Sequence, residues 1–418
     1  MKSSVSLAWL FPLAMCGFAA ASVPYLDAAF TSVTRWFGLF ALALFLLYRR
    51  ALFQAFRIGT APALGAWLVW NVATTAWSQQ PELSLAKSLA MVLTAVTFVS
   101  GGLYWARSRP QAALSYLAPF VALTLLAGLP GHAAGLVRNS AGVRLYEGLA
   151  SNPNFLGEVA AISLTYALYA VYQARQAGER LALALWLVIA AVLGALLVVS
   201  GARAAMFGAL PAVLVFAFVM VTRRSLVVIV ACLSLLAGAA LVLPDSVTAP
   251  LAGPVVSLAT KGRPDFLFSR TRNWGRSYDK AREGGAAGVG FGVSAGATNE
   301  FHLGRLTTAS YTREKSNAQL AMVEETGLIG LGVFVIFLAQ SFAALFSGIG
   351  RAEARARVEL LFLGGLLAGL IVHSAFESWW TAPGSLEAPV FWATLGVTAG
   401  LLRRPRLAAA SAMLPAPA

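Results

Sequence analysis

With 418 residues, 59% of them hydrophobic and 11% charged, the chain is too apolar for a soluble fold of its length. Its two cysteines, Cys16 and Cys232, lie in apolar runs and exclude a disulfide framework. Three scattered histidines, His132, His302 and His373, supply no Cys/His metal set. The formal charge of +14 has to be located before it is interpreted. In a membrane protein such a charge is an orientation signal, an anion site, or both.

Apolar runs of about 17–25 residues are long enough to cross about 30 Å of hydrocarbon. They fall near 6–26, 33–47, 61–77, 85–106, 113–129, 155–173, 181–199, 204–221, 225–243, 317–346, 358–377 and 388–402. The first resembles a signal peptide, with Lys2 before it and Ala19-Ala20-Ala21-Ser22 at its end. Cleavage would leave the wrong parity for the loop charges, so a retained helix is expected. The pattern predicts an all-α integral membrane protein of about 12 transmembrane helices. It divides into nine spans over 1–243, a large loop containing short helices over 244–316, three spans over 317–402 and a tail over 403–418. The run 317–346 is long for one crossing, so its first turns, with Glu324 and Glu325, are expected to stand above the membrane.

Alternate loops are basic: Lys2; Arg49, Arg50 and Arg57; Arg107 and Arg109; Arg175 and Arg180; Arg223 and Arg224; Arg351, Arg355 and Arg357; Arg403, Arg404 and Arg406. Lysine and arginine stay cytoplasmic, which places both termini in the cytoplasm and the large loop outside, in the periplasm if the membrane is a bacterial inner membrane. Most of the remaining basic residues are on the side the rule disfavours: Arg138, Arg144, Arg203, and ten in the stretch 244–325, among them Arg270, Arg272, Arg276, Arg313 and Lys315. Arginine suits diphosphate because its planar fork donates several hydrogen bonds and keeps its charge. For Arg203, at a helix end, snorkelling is the plain alternative.

No Asp-x-Asp pair, Walker loop or dinucleotide fingerprint is present. Nucleotide-driven chemistry, nucleic-acid binding, a metal and a cofactor are therefore not expected. An outward-facing site needs a donor that arrives through the membrane already activated. A lipid-linked diphosphate sugar fits, since arginines can stabilise its anionic leaving group.

Four segments resemble the superfamily of O-antigen ligases and Wzy-type polysaccharide polymerases. They are Arg270-Thr-Arg-Asn-Trp274 followed by Gly288-Val-Gly-Phe-Gly292; Ser200-Gly-Ala-Arg203; Asn152-Pro153-Asn154-Phe-Leu-Gly157; and Asn317-Ala-Gln-Leu320 with Glu325-Thr-Gly327-Leu-Ile-Gly330. Ligases of that superfamily carry His-Asn where this chain has Ser316-Asn317, and the histidine is their proposed base. The departure makes this chain look closer to the exopolysaccharide and O-antigen polymerase members.

The resemblance implies a glycosyltransferase that polymerises undecaprenyl-diphosphate-linked repeat units in the periplasm, with inversion and without metal. Arg203 and Arg270 would hold the diphosphate, with Arg272 and Arg276 assisting. Glu314 is the first candidate for the base and Glu325 the second, a carboxylate being able to accept the proton of an attacking hydroxyl; a helix first-turn acid is the plain reading of Glu325. Lys315, Asn317, Arg138, Arg144 and Glu377 complete the candidate substrate contacts. His373 and Glu377 are four apart, and Trp379-Trp380 suits an interfacial aromatic belt. Two alternatives are an O-antigen ligase with lipid A–core as acceptor and a lipid-linked oligosaccharide flippase. A chain-length regulator is a further candidate partner.

Overall fold

The structure is a computed structural model that describes residues 8–21, 23, 32–109, 111–130, 136–138, 144–150, 152–220, 268–295 and 315–403. At 32, 33, 138, 268–270 and 272 only the backbone is described. In chain order the helices are α1 (Leu10–Ala20), α2 (Ser32–Tyr48), α3 (Ala61–Ala73), α4 (Pro81–Ser108), α5 (Ala118–Ala127), α6 (Pro153–Ala177), α7 (Arg180–Val199), α8 (Arg203–Met220), α9 (Phe268–Gly284), α10 (Ala318–Arg351), α11 (Ala354–Ser374) and α12 (Glu387–Leu402). Strands β1 (Leu136–Arg138) and β2 (Arg144–Tyr146) pair antiparallel, with Arg138 opposite Arg144.

Among the described residues, six helices are long and apolar enough to cross a membrane: α4, α6, α7, α8, α10 and α11. The chain is thus a mostly helical protein with the makings of a multi-pass membrane protein. The expected run 61–77 is a composite of α3 and a 3-10 turn, Thr74–Trp77; the run 113–129 joins the 3-10 turn Ala113–Leu117 to α5. The expected span 225–243 and most of the large loop lie outside the described residues.

The chain forms two compact units. One comprises Met1–Pro119 and Arg270–Ala418, the other Phe120–Ser269.

In the first unit α4 packs along α12 at small residues. A Cβ on Gly102 would lie 2.4 Å from the Ala393 carbonyl, and one on Gly396 would lie 2.1 Å from the Val99 carbonyl. Backbone approach of this kind is how helices pack where lipid removes the hydrophobic drive. Beside that seam, Trp67 meets Phe334 at 4.8 Å between ring centroids and Trp392 at 5.7 Å. Trp379 and Trp380 join this core, against Phe391 at 5.2 Å and Phe334 at 4.8 Å. This corrects the expectation of an interfacial belt: both rings are buried in protein.

The loops of this unit gather at two ends. Ala8, Arg49, Arg50, Arg107 and Arg109 line one cavity, and Arg57, Arg351 and Arg403 line another. The turn between α3 and α4 instead meets the glycine segment after α9.

In the second unit α6 packs on α7 and α8. Asn152 caps α6, its Oδ1 accepting from the Phe155 amide at 2.8 Å, with Pro153 in the first turn. Gly178 ends the helix at φ 72°. The hairpin β1–β2 is held by Tyr146, whose hydroxyl donates to the Gly128 carbonyl at 2.8 Å.

Candidate active site

The centre of the first unit is a break in α10. Gly327 has φ 72° and ψ −178°, so the helical ladder stops there. A continuous helix would pair the Leu328 and Ile329 amides with the Glu324 and Glu325 carbonyls. Here all four groups find partners in the glycine segment that follows α9. Val289 N donates to Glu324 O at 2.9 Å and Gly290 N to Glu325 O at 3.0 Å. In return Leu328 N donates to Gly285 O at 3.1 Å and Ile329 N to Ala286 O at 3.1 Å. The carbonyl of Thr326 accepts the indole N–H of Trp70 at 2.8 Å. A broken helix is tolerated at membrane depth only when its freed groups are re-paired inside the protein, and this segment re-pairs them.

Glycine is required at both faces of the junction. A Cβ on Gly327 would lie 2.0 Å from the Ala286 carbonyl, and one on Gly290, at φ 117°, would lie 2.0 Å from Ser78 Oγ. The alternating residues do the opposite job. Phe291 is fully buried, edge-on to Trp67 at 6.5 Å, while Val289, Val293 and Ala295 cluster on Leu83. Burying a phenylalanine contributes about 2–3 kcal/mol. The turn before α4 holds the segment from outside: Gln79 N donates to Val289 O at 3.1 Å, and Trp77 Nε1 to Gly288 O at 3.1 Å.

Beneath the junction lies a buried ionic hub. Lys315 Nζ is 2.5 Å from Glu325 Oε1 and 3.5 Å from Glu324 Oε2, and it donates to Val293 O at 3.1 Å. Glu325 Oε1 also accepts from Thr381 Oγ1 at 2.9 Å, and its Oε2 from the Gly292 amide at 2.6 Å. Glu324 Oε1 accepts from the Ala295 amide at 2.9 Å. Lys87, on α4, donates to Gly292 O at 2.7 Å. Two lysines thus stand with two glutamates. A buried charge is costly unless paired and fully hydrogen-bonded, and these contacts meet that condition for Lys315 and Glu325.

Of the sequence candidates, Lys315 and Glu325 meet directly. Lys315 pairs with Glu324 and Glu325; Glu314, the first candidate base, lies outside the described residues, as does Arg313. Asn317 caps α10, its Oδ1 accepting from Leu320 N at 2.8 Å, and its Nδ2 donates to Ala375 O at 3.0 Å. Arg270, Arg272 and Arg276 all stand on α9, which runs straight into the glycine segment; Arg276 is exposed, and the side chains of the other two are outside the described atoms. Trp274 anchors that helix, donating through Nε1 to Ser316 O at 3.1 Å and lying 5.9 Å from the Phe376 ring. Ser378 Oγ donates to the carbonyl of Lys315 at 2.5 Å.

Helix α11 ends at Ser374, and its last turn carries on far enough for the Glu377 amide to donate to His373 O at 3.1 Å. Glu387 on α12 also comes near the imidazole, 3.7 Å from Nδ1 and beyond hydrogen-bond length.

In the second unit two of the motifs pack against each other. A Cβ on Gly157 would lie 2.3 Å from Ala202 Cβ and 2.7 Å from Ser200 Oγ. Arg203 begins α8 there, half-buried. Arg144 is exposed on β2 and edges an apolar cavity of about 470 Å3 lined by Leu136, Tyr146, Leu196 and Val199. For Arg138 only the backbone position on β1 is described.

Sequence reasoning missed Lys87, Thr381 and Trp70. Lys87 alone carried a signal: it is a lysine in an apolar span at the end where the charge bias disfavours one. Trp70 is an ordinary residue of an apolar run, and Thr381 an ordinary residue of the turn between α11 and α12, until the fold brings them to the break.

No family model matches the chain. No curated protein matches it either. A chain in a solved structure described as "Structural coordination of polymerization and crosslinking by a peptidoglycan synthase complex" is similar over 83% of this chain and 97% of its own, at 16% identity and a TM-score of 0.41. A likeness that distant carries no argument about activity.

Proposed function

We propose that the chain is a membrane glycosyltransferase that polymerises undecaprenyl-diphosphate-linked oligosaccharide repeats at the outer face of the bacterial inner membrane. The observation that supports this best is the anchoring of α9. A polar helix carrying Arg270, Arg272 and Arg276 is tied at Trp274 to Ser316 and continues into a segment locked in a broken membrane helix. Catalysis of diphosphate departure needs cationic donors that are oriented before the charge develops. Discontinuous helices are also where membrane proteins build polar sites.

In this reading Arg270 and Arg203 hold the diphosphate, with Arg272 and Arg276 beside them. Arg144, at the edge of its apolar cavity, supports binding of a lipid-borne anion. The hydroxyl of the acceptor glycan attacks the anomeric carbon, its proton passes to Glu314, and undecaprenyl diphosphate leaves. Glu325 and Asn317 act by position, since both carboxylate oxygens of Glu325 and both ends of the Asn317 amide already have partners. The test is polymer length in cells carrying Arg203→Ala or Arg270→Ala at normal protein level. Loss of long polymer is expected, and full-length polymer would refute the scheme. Transfer to lipid A–core with no polymerisation of repeats alone would assign the ligase reading instead.

A further inference from the structure

At the opposite end of the first unit, the start of α1 and the ends of α2 and α4 enclose a cavity of about 660 Å3. That lies within the range of about 300–1,000 Å3 common for small-molecule sites. Four arginines line it, Arg49, Arg50, Arg107 and Arg109, and among the described residues no carboxylate does. Orientation in the membrane asks only for charge near a helix end. It does not ask for fixed side chains, and three of these guanidiniums are held in place. Arg109 stacks 4.8 Å over Trp9 and 5.3 Å over Trp105. Arg49 lies 5.9 Å over Tyr104, and Arg107 Nη1 donates to Gln54 Oε1 at 2.7 Å. Arg50 has φ 53°, the sole non-glycine positive φ among the described residues, and closes α2 in a left-handed cap, with Ala51 N donating to Leu46 O at 2.7 Å and Arg50 N to Leu47 O at 2.9 Å. That cap sets Arg50 at the rim of the cavity.

We propose that this cavity binds the phosphate headgroup of an anionic phospholipid. A guanidinium binds phosphate bidentately and keeps its charge at any physiological pH. Stacking on tryptophan leaves its edge donors free for such a ligand. The lipid source follows from the neighbouring surface. Tyr48 lines the cavity, and the α2 face leading to it is apolar and open, with Phe37, Phe40, Leu44 and Leu47 exposed. Acyl chains have somewhere to lie there, which a soluble phosphate would not use. Basic pockets between helices on the cytoplasmic side bind anionic headgroups in this way. Lipid binding at this end does not depend on the proposed reaction.

The test is native mass spectrometry of the full chain in detergent, with phosphatidylglycerol or cardiolipin against phosphatidylethanolamine, and tripolyphosphate as the soluble probe. Preferential retention of the anionic lipids is expected. The Arg49→Ala/Arg107→Ala variant should lower that retention by at least about tenfold. Arg355→Ala/Arg357→Ala removes the same charge from positions outside the cavity and should change it less than about twofold. Arg50→Gly relieves the positive φ while removing one cation, so it should fold and still lose lipid. Equal loss in both double variants, equal retention of phosphatidylethanolamine, or tripolyphosphate binding that displaces no lipid would overturn the proposal.

Discussion

Lys315 and Glu325 are joined by a 2.5 Å ion pair with both side chains about 5% exposed or less. Lys315 precedes α10, and Glu325 sits on the helix just before the break at Gly327. The pair therefore fixes the entry to α10 and the glycine segment together. Removing one partner leaves a buried, uncompensated charge, which costs about 3–5 kcal/mol. Lys315→Met and Glu325→Gln should each sharply lower the thermal unfolding temperature in detergent. The double variant should lose less than the sum, because neither member of the pair then stands without the other, and only Glu324 is left without its lysine. Additive losses would refute the coupling.

Gly327 is the second point of weakness. Its φ of 72°, and an Ala286 carbonyl that would lie 2.0 Å from any Cβ, leave no room for alanine. Gly327→Ala should cost more than about 2 kcal/mol and abolish polymer formation. Gly332, on the same helix beyond the break, meets nothing within 4 Å. Gly332→Ala should leave stability unchanged or raise it by about 0.5–1 kcal/mol. A stability curve and polymer gel for the two variants check both statements.

Lys87 tests whether the glycine segment has to be held as well as folded. Its ammonium donates to Gly292 O at 2.7 Å, and its stem closes over Gly292, where a Cβ would meet Lys87 Cδ at 2.2 Å. Lys87→Met keeps the stem and removes the donor. We expect the protein to remain folded and polymer yield to fall about tenfold, from loss of one charge-assisted hydrogen bond. Full activity in Lys87→Met would leave Lys87 as a packing residue only.

The helices were legible because apolar runs of membrane length have few other uses. Asn152 and Asn317 were marked by their motifs, and each proves to cap its helix, because asparagine before a helical run accepts from the third residue on. The break at Gly327 was not. A glycine inside an apolar run reads as tolerated, and the break depends on pairing 285–290 with 324–329, a contact that no local pattern encodes. Trp379 and Trp380 were misplaced for a related reason: adjacent tryptophans suit an interface or a core equally, and the position of Phe334 decides it. Glu387 approaches His373 from another helix, α12, a contact that spacing along α11 does not reveal.

Trp274 links that junction to the arginines. Trp274→Phe keeps the ring beside Phe376 and removes the hydrogen bond to Ser316 O. A neutral hydrogen bond of this kind is worth about 1 kcal/mol, so a several-fold loss of polymer at normal expression is expected. Trp274→Ala frees α9 and should behave like Arg270→Ala. If Trp274→Ala retained full polymer length, the anchoring of α9 would have no part in the reaction.

The most direct test of the central claim is a reaction of purified protein with lipid-linked repeat units alone, resolved as a ladder on a gel. The account predicts a ladder, with undecaprenyl diphosphate released for each bond formed, and none from Arg270→Ala. No ladder from well-folded protein, with lipid-linked repeats instead crossing vesicle membranes, would contradict it and make the chain a transporter.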